Sequence, residues 1–165
     1  MNNFKTIGKL GEGAFSTVYK VKRISDGMDY ALKKVQMGKL SSKEKENALN
    51  EVRILASVVS ENIIQYKESF FDDHSGCLCI VMELCDGGDL LKKIETYQKL
   101  REHPKENQIW KYFFQMIRGL KSLHEAKIVH RDIKCANVFL MKSGELKLGD
   151  LNVSKIAKHD QMLVT

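Results

Sequence analysis

Apolar positions in the first half of the chain alternate with a period of two, interrupted by one stretch with a helical period. Phe4 to Leu10 alternates loosely, and Thr17 to Ile24 and Met28 to Val35 read as strands joined by the hairpin turn Ser25-Asp26-Gly27. Ile63 to Phe71 and Cys77 to Glu83 read as two more strands across the polar turn Asp72-Asp73-His74-Ser75-Gly76. Between the two groups, Ala48, Val52, Leu55 and Val59 recur at helical spacing, with the capping box Ser41-x-x-Glu44 just ahead. Five strands and one helix are therefore expected before Leu84-Cys85-Asp86-Gly87-Gly88-Asp89. That glycine-bearing hinge is the expected boundary between residues 1–84 and 85–165.

Beyond the hinge the pattern turns helical. Asp89 can cap a short helix through Ile94, and a longer helix is expected from Pro104, placed at a first helical position, to Ala126. Its buried stripe would be Ile109, Phe113, Met116, Ile117, Leu120 and Leu123, with Trp110 and Tyr112 as packing residues. His124 reads as a C-terminal cap or a core histidine. Val138 to Met141 and Leu146 to Leu148 form an expected hairpin around Ser143-Gly144.

Composition narrows the classes. The 165 residues are 43% hydrophobic and 29% charged, an ordinary globular balance. A net charge of +6 brings nucleic acid into question, but lysines are interleaved with acids and no long run has one sign. A phosphate-bearing ligand or an acidic substrate accounts for that balance as well, and no nucleic-acid partner is expected. The first five residues lack a signal-peptide pattern, and the longest apolar stretch, Cys77 to Leu84, is too short to cross a bilayer. No membrane partner is expected, and the expected location is the cytoplasm. Cys77, Cys79, Cys85 and Cys135 show no CxxC pair or matching histidine cluster, so they read as reduced thiols.

The densest chemistry lies in His130-Arg131-Asp132-Ile133-Lys134-Cys135-Ala136-Asn137. A carboxylate, a cation and an amide in one loop suit a site that takes a hydroxyl proton, steadies a phosphoryl group and holds a metal ion. Gly11-Glu12-Gly13-Ala14-Phe15-Ser16-Thr17-Val18 lies between two strands, so no helix N-terminus follows it to hold phosphate. It is either a backbone flap over nucleotide phosphates or a plain hairpin turn. Ala31 and Lys33 share a strand face. Ala31 leaves room for a flat base and Lys33 could reach phosphates, although taken alone Lys33 equally suits a solvent-facing position like that of Lys34. Glu51, beside the helical stripe, is an exposed edge residue or the partner of a buried cation, for which Lys33 is the candidate.

In chain order, the glycine-rich turn, strand lysine, helix glutamate, hinge, polar loop and Gly149-Asp150-Leu151-Asn152 resemble the signature set of the eukaryotic protein kinases. Lys134, two residues after Asp132, matches the serine/threonine-type loop. Ile80-Val81-Met82-Glu83-Leu84-Cys85-Asp86-Gly87-Gly88-Asp89-Leu90, Asn137-Val138-Phe139-Leu140 and Leu146-Lys147-Leu148-Gly149-Asp150 are most similar to the NIMA-related kinase family. The resemblance implies an α+β two-lobe fold. Its N-lobe (1–84) would hold a five-stranded antiparallel sheet and one helix, and its C-lobe (85–165) would be mainly helical and incomplete. It also implies transfer of the γ-phosphate of ATP, with Mg2+, to serine or threonine hydroxyls of protein substrates.

Position by position, the resemblance implies that Gly11, Glu12, Gly13, Ala14, Phe15, Ser16 and Val18 cover the ATP phosphates. Leu10, Val18, Ala31 and Phe139 would sandwich the adenine, Met82 would guard the back of the pocket, and the backbone of Glu83 and Cys85 would bond the base edge. Lys33 would hold the α- and β-phosphates and pair with Glu51. Asp132 would accept the substrate proton, Lys134 would neutralise the phosphoryl group in transit, and Asn137 and Asp150 would hold magnesium. Arg131 would bind a phosphorylated activation-loop residue. By resemblance alone, a cytoskeletal or ciliary association is added.

Two departures stand out. Leu151-Asn152 replaces the usual Phe-Gly, and asparagine tolerates a positive φ, so the metal motif is expected to survive. The chain also stops at Thr165, within the presumed activation segment and without an Ala-Pro-Glu-type anchor or the later helices. The underside of the 104–126 helix is then expected to present an apolar patch, open to a partner protein. A non-catalytic nucleotide-binding or interaction module is the alternative. A small-molecule phosphotransferase fits Lys134 and the NIMA-like stretches less well.

Overall fold

The computed structural model describes residues 3–151 and 154–156. They fall into two compact units, one of Met1–Ala56 with Gln65–Leu84 and one of Ser57–Ile64 with Cys85–Thr165. The short segment Ser57–Ile64 thus groups with the residues beyond the hinge, a detail outside the simple division at residue 84.

The first unit is built on one antiparallel sheet of β1 (Phe4–Glu12), β2 (Ser16–Arg23), β3 (Asp29–Gln36), β4 (Tyr66–Asp72) and β5 (Cys77–Glu83), ordered β1-β2-β3-β5-β4. The β2–β3 turn closes as its composition demands. Gly27 takes φ +69°, and the Met28 N–H donates to Asp26 Oδ1 at 2.9 Å. Alternation along the strands sends Val21, Leu32, Cys77, Cys79 and Val81 to one face, where Phe4, Tyr19, Tyr30 and Phe70 pack against them.

Helix α1 (Ser42–Ser57) belongs to the same unit. Its capping box forms: the Ser41 N–H donates to Glu44 Oε2 at 2.8 Å, and the Glu44 N–H to Ser41 Oγ at 3.4 Å. The buried face is Ala48, Glu51, Ile54 and Leu55. That corrects the expected stripe. Val52 is only half-buried, and Val59 lies past the helix end and is 84% exposed, with Val58 buried in its place. Two β-branched valines followed by Ser60 are weak helix formers, and the helix stops before them.

The expected strand from Ile63 begins only at Tyr66. Ile63 and Ile64 are buried in the second unit instead. There the Ile64 N–H donates to Leu148 O at 2.9 Å, and the Leu148 N–H to Asn62 O at 2.8 Å.

The second unit contains α2 (Leu90–Leu100), α3 (Glu106–Glu125), β6 (Ile128–Val129), a 3-10 turn (Cys135–Asn137), β7 (Val138–Leu140), β8 (Leu146–Leu148) and β9 (Lys155–Ile156). β7 pairs with β8 and β6 with β9, both antiparallel. Asp89 caps α2, accepting the Lys92 N–H at 2.8 Å, and the helix runs past Ile94 until Arg101 turns left-handed at φ 55°. α3 starts at Glu106, so Pro104 precedes its cap rather than occupying the first helical position.

The stripe expected on α3 needs the larger correction. Only Gly119 and Leu123 are buried; Met116 and Leu120 are half-buried, and Ile109, Phe113 and Ile117 are about half exposed, at 53%, 45% and 44%. At Gly119 the helix comes so close to β8 and to Asn62 that a β-carbon there would lie 3.0 Å from Leu148 Cδ1 and 2.7 Å from Asn62 O. The apolar residues on its other side, Ile109, Trp110, Phe113, Phe114 and Ile117, are exposed. Trp110 packs edge-on against Phe113 at 5.8 Å on that open side, and His124 is exposed rather than a core residue. The open face is the apolar patch expected on this helix. Among the described residues no helix is long and apolar enough to cross a membrane.

Candidate active site

In the first unit the glycine-rich stretch forms the β1–β2 turn. Gly11 pairs with Val18 and Glu12 with Thr17, the Gly13 N–H donates to Ser16 O at 2.7 Å, and the Gln36 N–H to Phe15 O at 2.9 Å. The bulge between Lys9 and Gly11 leaves Leu10 45% exposed, and Phe15 and Ala14 stand exposed at the tip. Val18 lies opposite Lys33, and Ala31 opposite Met82.

Lys33 Nζ donates to both oxygens of Glu51, at 2.8 and 3.0 Å, with the two side chains 12% and 4% exposed. Neither the solvent-facing lysine nor the exposed-edge glutamate survives. Burial of two opposite charges is tolerable because each answers the other. Glu83 is held twice by Gln65: its N–H donates to Gln65 O at 2.9 Å and its Oε1 accepts the Gln65 N–H at 2.6 Å.

In the second unit the hinge glycines are tied to β7. The Gly87 N–H donates to Leu140 O and the Leu140 N–H to Gly88 O, both at 2.8 Å, which brings Asp89 opposite the half-buried Phe139. Cys85 is half-buried.

The polar loop then converges on a single oxygen. Asp132 Oδ2 accepts from Lys134 Nζ at 2.7 Å and from Asn137 Nδ2 at 2.9 Å, and Asn137 Nδ2 also reaches the Asp132 carbonyl at 2.9 Å. Asp132 Oδ1 accepts no hydrogen bond from a described residue. The Lys134 ammonium, followed by the Asn137 amide, holds the Asp132 carboxyl below its ordinary value, so it is ionised at neutral pH. Asp132 in turn raises Lys134.

Two features of this loop escaped the sequence. His130 is 1% exposed; its Nε2 meets Gly149 O at 3.0 Å and its Nδ1 accepts the Asp132 N–H at 3.3 Å, while burial pushes its pKa down. A neutral imidazole thus orients the backbone of Asp132. Gly149 is the second feature. A β-carbon there would collide with Ile64 Cδ1 and lie 2.9 Å from Phe139 Cε2, and the Gly149 N–H donates to Asn137 O at 3.0 Å. The only signals in the sequence were the position of each within a motif.

Arg131 and Asp150 both take left-handed backbone, at φ 65° and 57°, a conformation that costs a non-glycine residue energy and tends to mark functional loops. Leu151 is fully buried, the anchor expected of it, whereas the expectation for Asn152 lies outside the described residues. Arg131 is exposed and outside the Asp132 cluster. Among the described residues no three acidic, histidine or cysteine side chains cluster as metal ligands. Asn137 commits its amide nitrogen to Asp132 and keeps Oδ1 as a hard oxygen donor, and Asp150 is a carboxylate of the same chemical type. Magnesium bound by one or two protein oxygens, with the rest from water and phosphate, fits such a set.

Residues 4–165 match the family "Protein kinase domain". The chain is 40% identical over 156 residues to "Serine/threonine-protein kinase Nek1" of Mus musculus, covering 94% of this chain and 13% of the relative. It is 37% identical over 159 residues to "Probable serine/threonine-protein kinase nek2" of Dictyostelium discoideum, covering 94% of this chain and 38% of that protein. It is 38% identical over 164 residues to "Serine/threonine-protein kinase Nek5" of Homo sapiens, covering 99% of this chain and 23% of that protein. These relatives are NIMA-related kinases, and the chain spans between 13% and 38% of their lengths.

Proposed function

The chain belongs to the protein kinase domain family, and from that premise we propose that it carries the phosphotransfer chemistry of a serine/threonine protein kinase. The observation that carries the reading is the state of Asp132: ionised, fixed through Oδ2 by Lys134 and Asn137, and with Oδ1 left to meet a substrate hydroxyl. A carboxylate so held acts as an orienting base. Lys134 answers negative charge that develops beside it. Bound magnesium-ATP would supply the γ-phosphoryl group and the metal charge that neutralises its oxygens.

In this reading Asn137 and Asp150 hold the metal, and Lys33 holds the α- and β-phosphates in a position set by Glu51. The turn Gly11, Glu12, Gly13, Ala14, Phe15, Ser16 and Val18 covers the phosphates with its backbone. Leu10, Val18, Ala31 and Phe139 enclose the adenine, and Met82 closes the back of the pocket. With the Glu83 N–H engaged by Gln65, its carbonyl and the backbone of Cys85 serve the base edge. Residues 1–84 act as the N-lobe and 85–165 as C-lobe sequence, and the substrates are proteins with serine or threonine hydroxyls. The described cysteines are free thiols, which suits a cytoplasmic setting. A non-catalytic nucleotide-binding or interaction module is the second reading, favoured by the exposed aromatic face of α3, which suits a partner protein.

The test is transfer of labelled phosphate from MgATP to a generic protein substrate by this chain and by Asp132→Asn. The first reading expects transfer that falls by about 10²-fold or more in the variant. Equal transfer by both overturns the role of Asp132. Absence of transfer from either, with MgATP raising the melting temperature, supports the second reading.

A further inference from the structure

The sheet of the first unit carries a cavity on the face opposite Lys33. Side chains alternate along β3, so Lys34 and Gln36 project from the face that also bears Tyr19 and Cys77. There the ends of β2 and β3, the short 3-10 turn Met37–Lys39 and the β4–β5 turn enclose about 460 Å³. We propose that this cavity binds the phosphomonoester of a phosphoserine- or phosphothreonine-containing peptide.

The chemistry of the lining points to a dianion. Lys34 and Lys39 both line the cavity, and no carboxylate does. Asp72 lies behind Lys34 at 3.4 Å, with its side chain only 6% exposed and also taking the Ser75 hydroxyl at 2.5 Å. Lys39 is exposed and pairs with no described carboxylate. Thr17 and Tyr19 line the same space, and their hydroxyls bond no described residue and so are able to donate. A phosphomonoester brings a charge of about −1.5 to −2 and three acceptor oxygens to such a set, where a carboxylate brings one charge and two oxygens. The Lys34 side chain is 18% exposed, so little water competes for its charge.

The shape of the opening points to a peptide. Gly38 and Gly76 sit at the cavity, and a β-carbon on either would meet nothing within 4 Å. Two bare stretches of backbone therefore let another main chain approach, while the cavity holds more than the phosphate alone. This inference goes beyond the phosphotransfer reading and is tested without ATP, so either can fail while the other stands.

The experiment is fluorescence polarisation with a labelled phosphoserine peptide, its unphosphorylated and glutamate counterparts, and inorganic phosphate and anionic lipid vesicles as competitors. The expected result is binding of the phosphopeptide alone, weakened about tenfold or more in Lys39→Glu, the loss of one charge-assisted contact. Lys39 is exposed, and an unchanged melting temperature would show that the variant is folded. Unchanged affinity in Lys39→Glu, or equal binding of the glutamate peptide, overturns the proposal. So does displacement by phosphate as effective as that by peptide, which marks a free-anion site, and so does a preference for the vesicles.

Discussion

Lys33 and Glu51 in the first unit meet at 2.8 Å, and Lys134 and Asp132 in the second at 2.7 Å, so by distance the two pairs are alike. Their surroundings differ. The first pair has side chains 12% and 4% exposed, the second 55% and 34%. A buried pair commits the fold to both charges, because either one left without the other has no water to fall back on. An exposed pair leaves each charge hydrated, so its value to the fold is small and its charges remain available to a ligand. One contact geometry therefore occurs buried in one unit, where the fold depends on it, and exposed in the other, where its charges stay open to a ligand.

The widest separation between the pairs should come from removing one carboxylate charge. Glu51→Gln is expected to lower stability by about 3–5 kcal/mol in urea denaturation, the cost of opening a buried pair from one side. Lys33→Met combined with Glu51→Leu should restore much of that loss, since an apolar pair of similar volume needs no compensation. A Glu51→Gln protein with an unchanged urea midpoint would mean that the pair is solvated in practice and that the contrast between the units is wrong.

The second pair should show the reverse. Lys134→Met is expected to leave the urea midpoint close to that of the parent chain, because both partners are more than a third exposed or nearly so. Phosphate transfer should fall by about 10²–10³-fold, the usual effect of deleting one donor that stabilises transition-state charge. A large stability loss without a loss of transfer would assign Lys134 to the fold rather than to the chemistry.

How far these roles could be read in the sequence follows from what each depends on. The capping box at Ser41, the turn at Asp26-Gly27 and the bounds of Cys77–Glu83 are local, and chain order alone displays them. The loop from His130 to Asn137 was legible as chemistry because its polar groups lie within eight residues and meet through short-range contacts. From the apolar pattern Glu51 was legible only as an exposed edge residue or the partner of a buried cation, and the pattern did not decide between the two. The apolar stripe through Val52 and Val59 runs beside the face that is covered, and only the position of β3 relative to α1 decides the matter. Ile63 and Ile64 extend an apolar run into β4, yet their partner is Leu148, more than eighty residues away. On α3 the periodicity marked an apolar stripe, but which part of it another element covers is not a property of the helix, and only Leu123 of that stripe is buried.

His130 offers the finest way to sharpen the comparison, because it is a buried titratable group in the unit whose ion pair is exposed. Burial lowers its folded pKa below the ordinary histidine value, with the Gly149 carbonyl, Asp132 and Asp150 pulling the other way. The unfolded chain then takes up a proton at higher pH than the folded chain does. Stability is complete above the ordinary histidine pKa and declines as the pH falls through it towards the folded value. The measurement is the urea midpoint at pH 7.5, 6.5 and 5.5 for the parent chain and for His130→Gln, whose amide can still meet Gly149 O. The parent should lose more between the first and last pH than the variant does, by the smallest margin of the three effects. Equal losses would mean that the imidazole is as free to ionise in the folded unit as in water. The ring that orients Asp132 would then be neutral only above the ordinary histidine pKa, with no extra margin from burial.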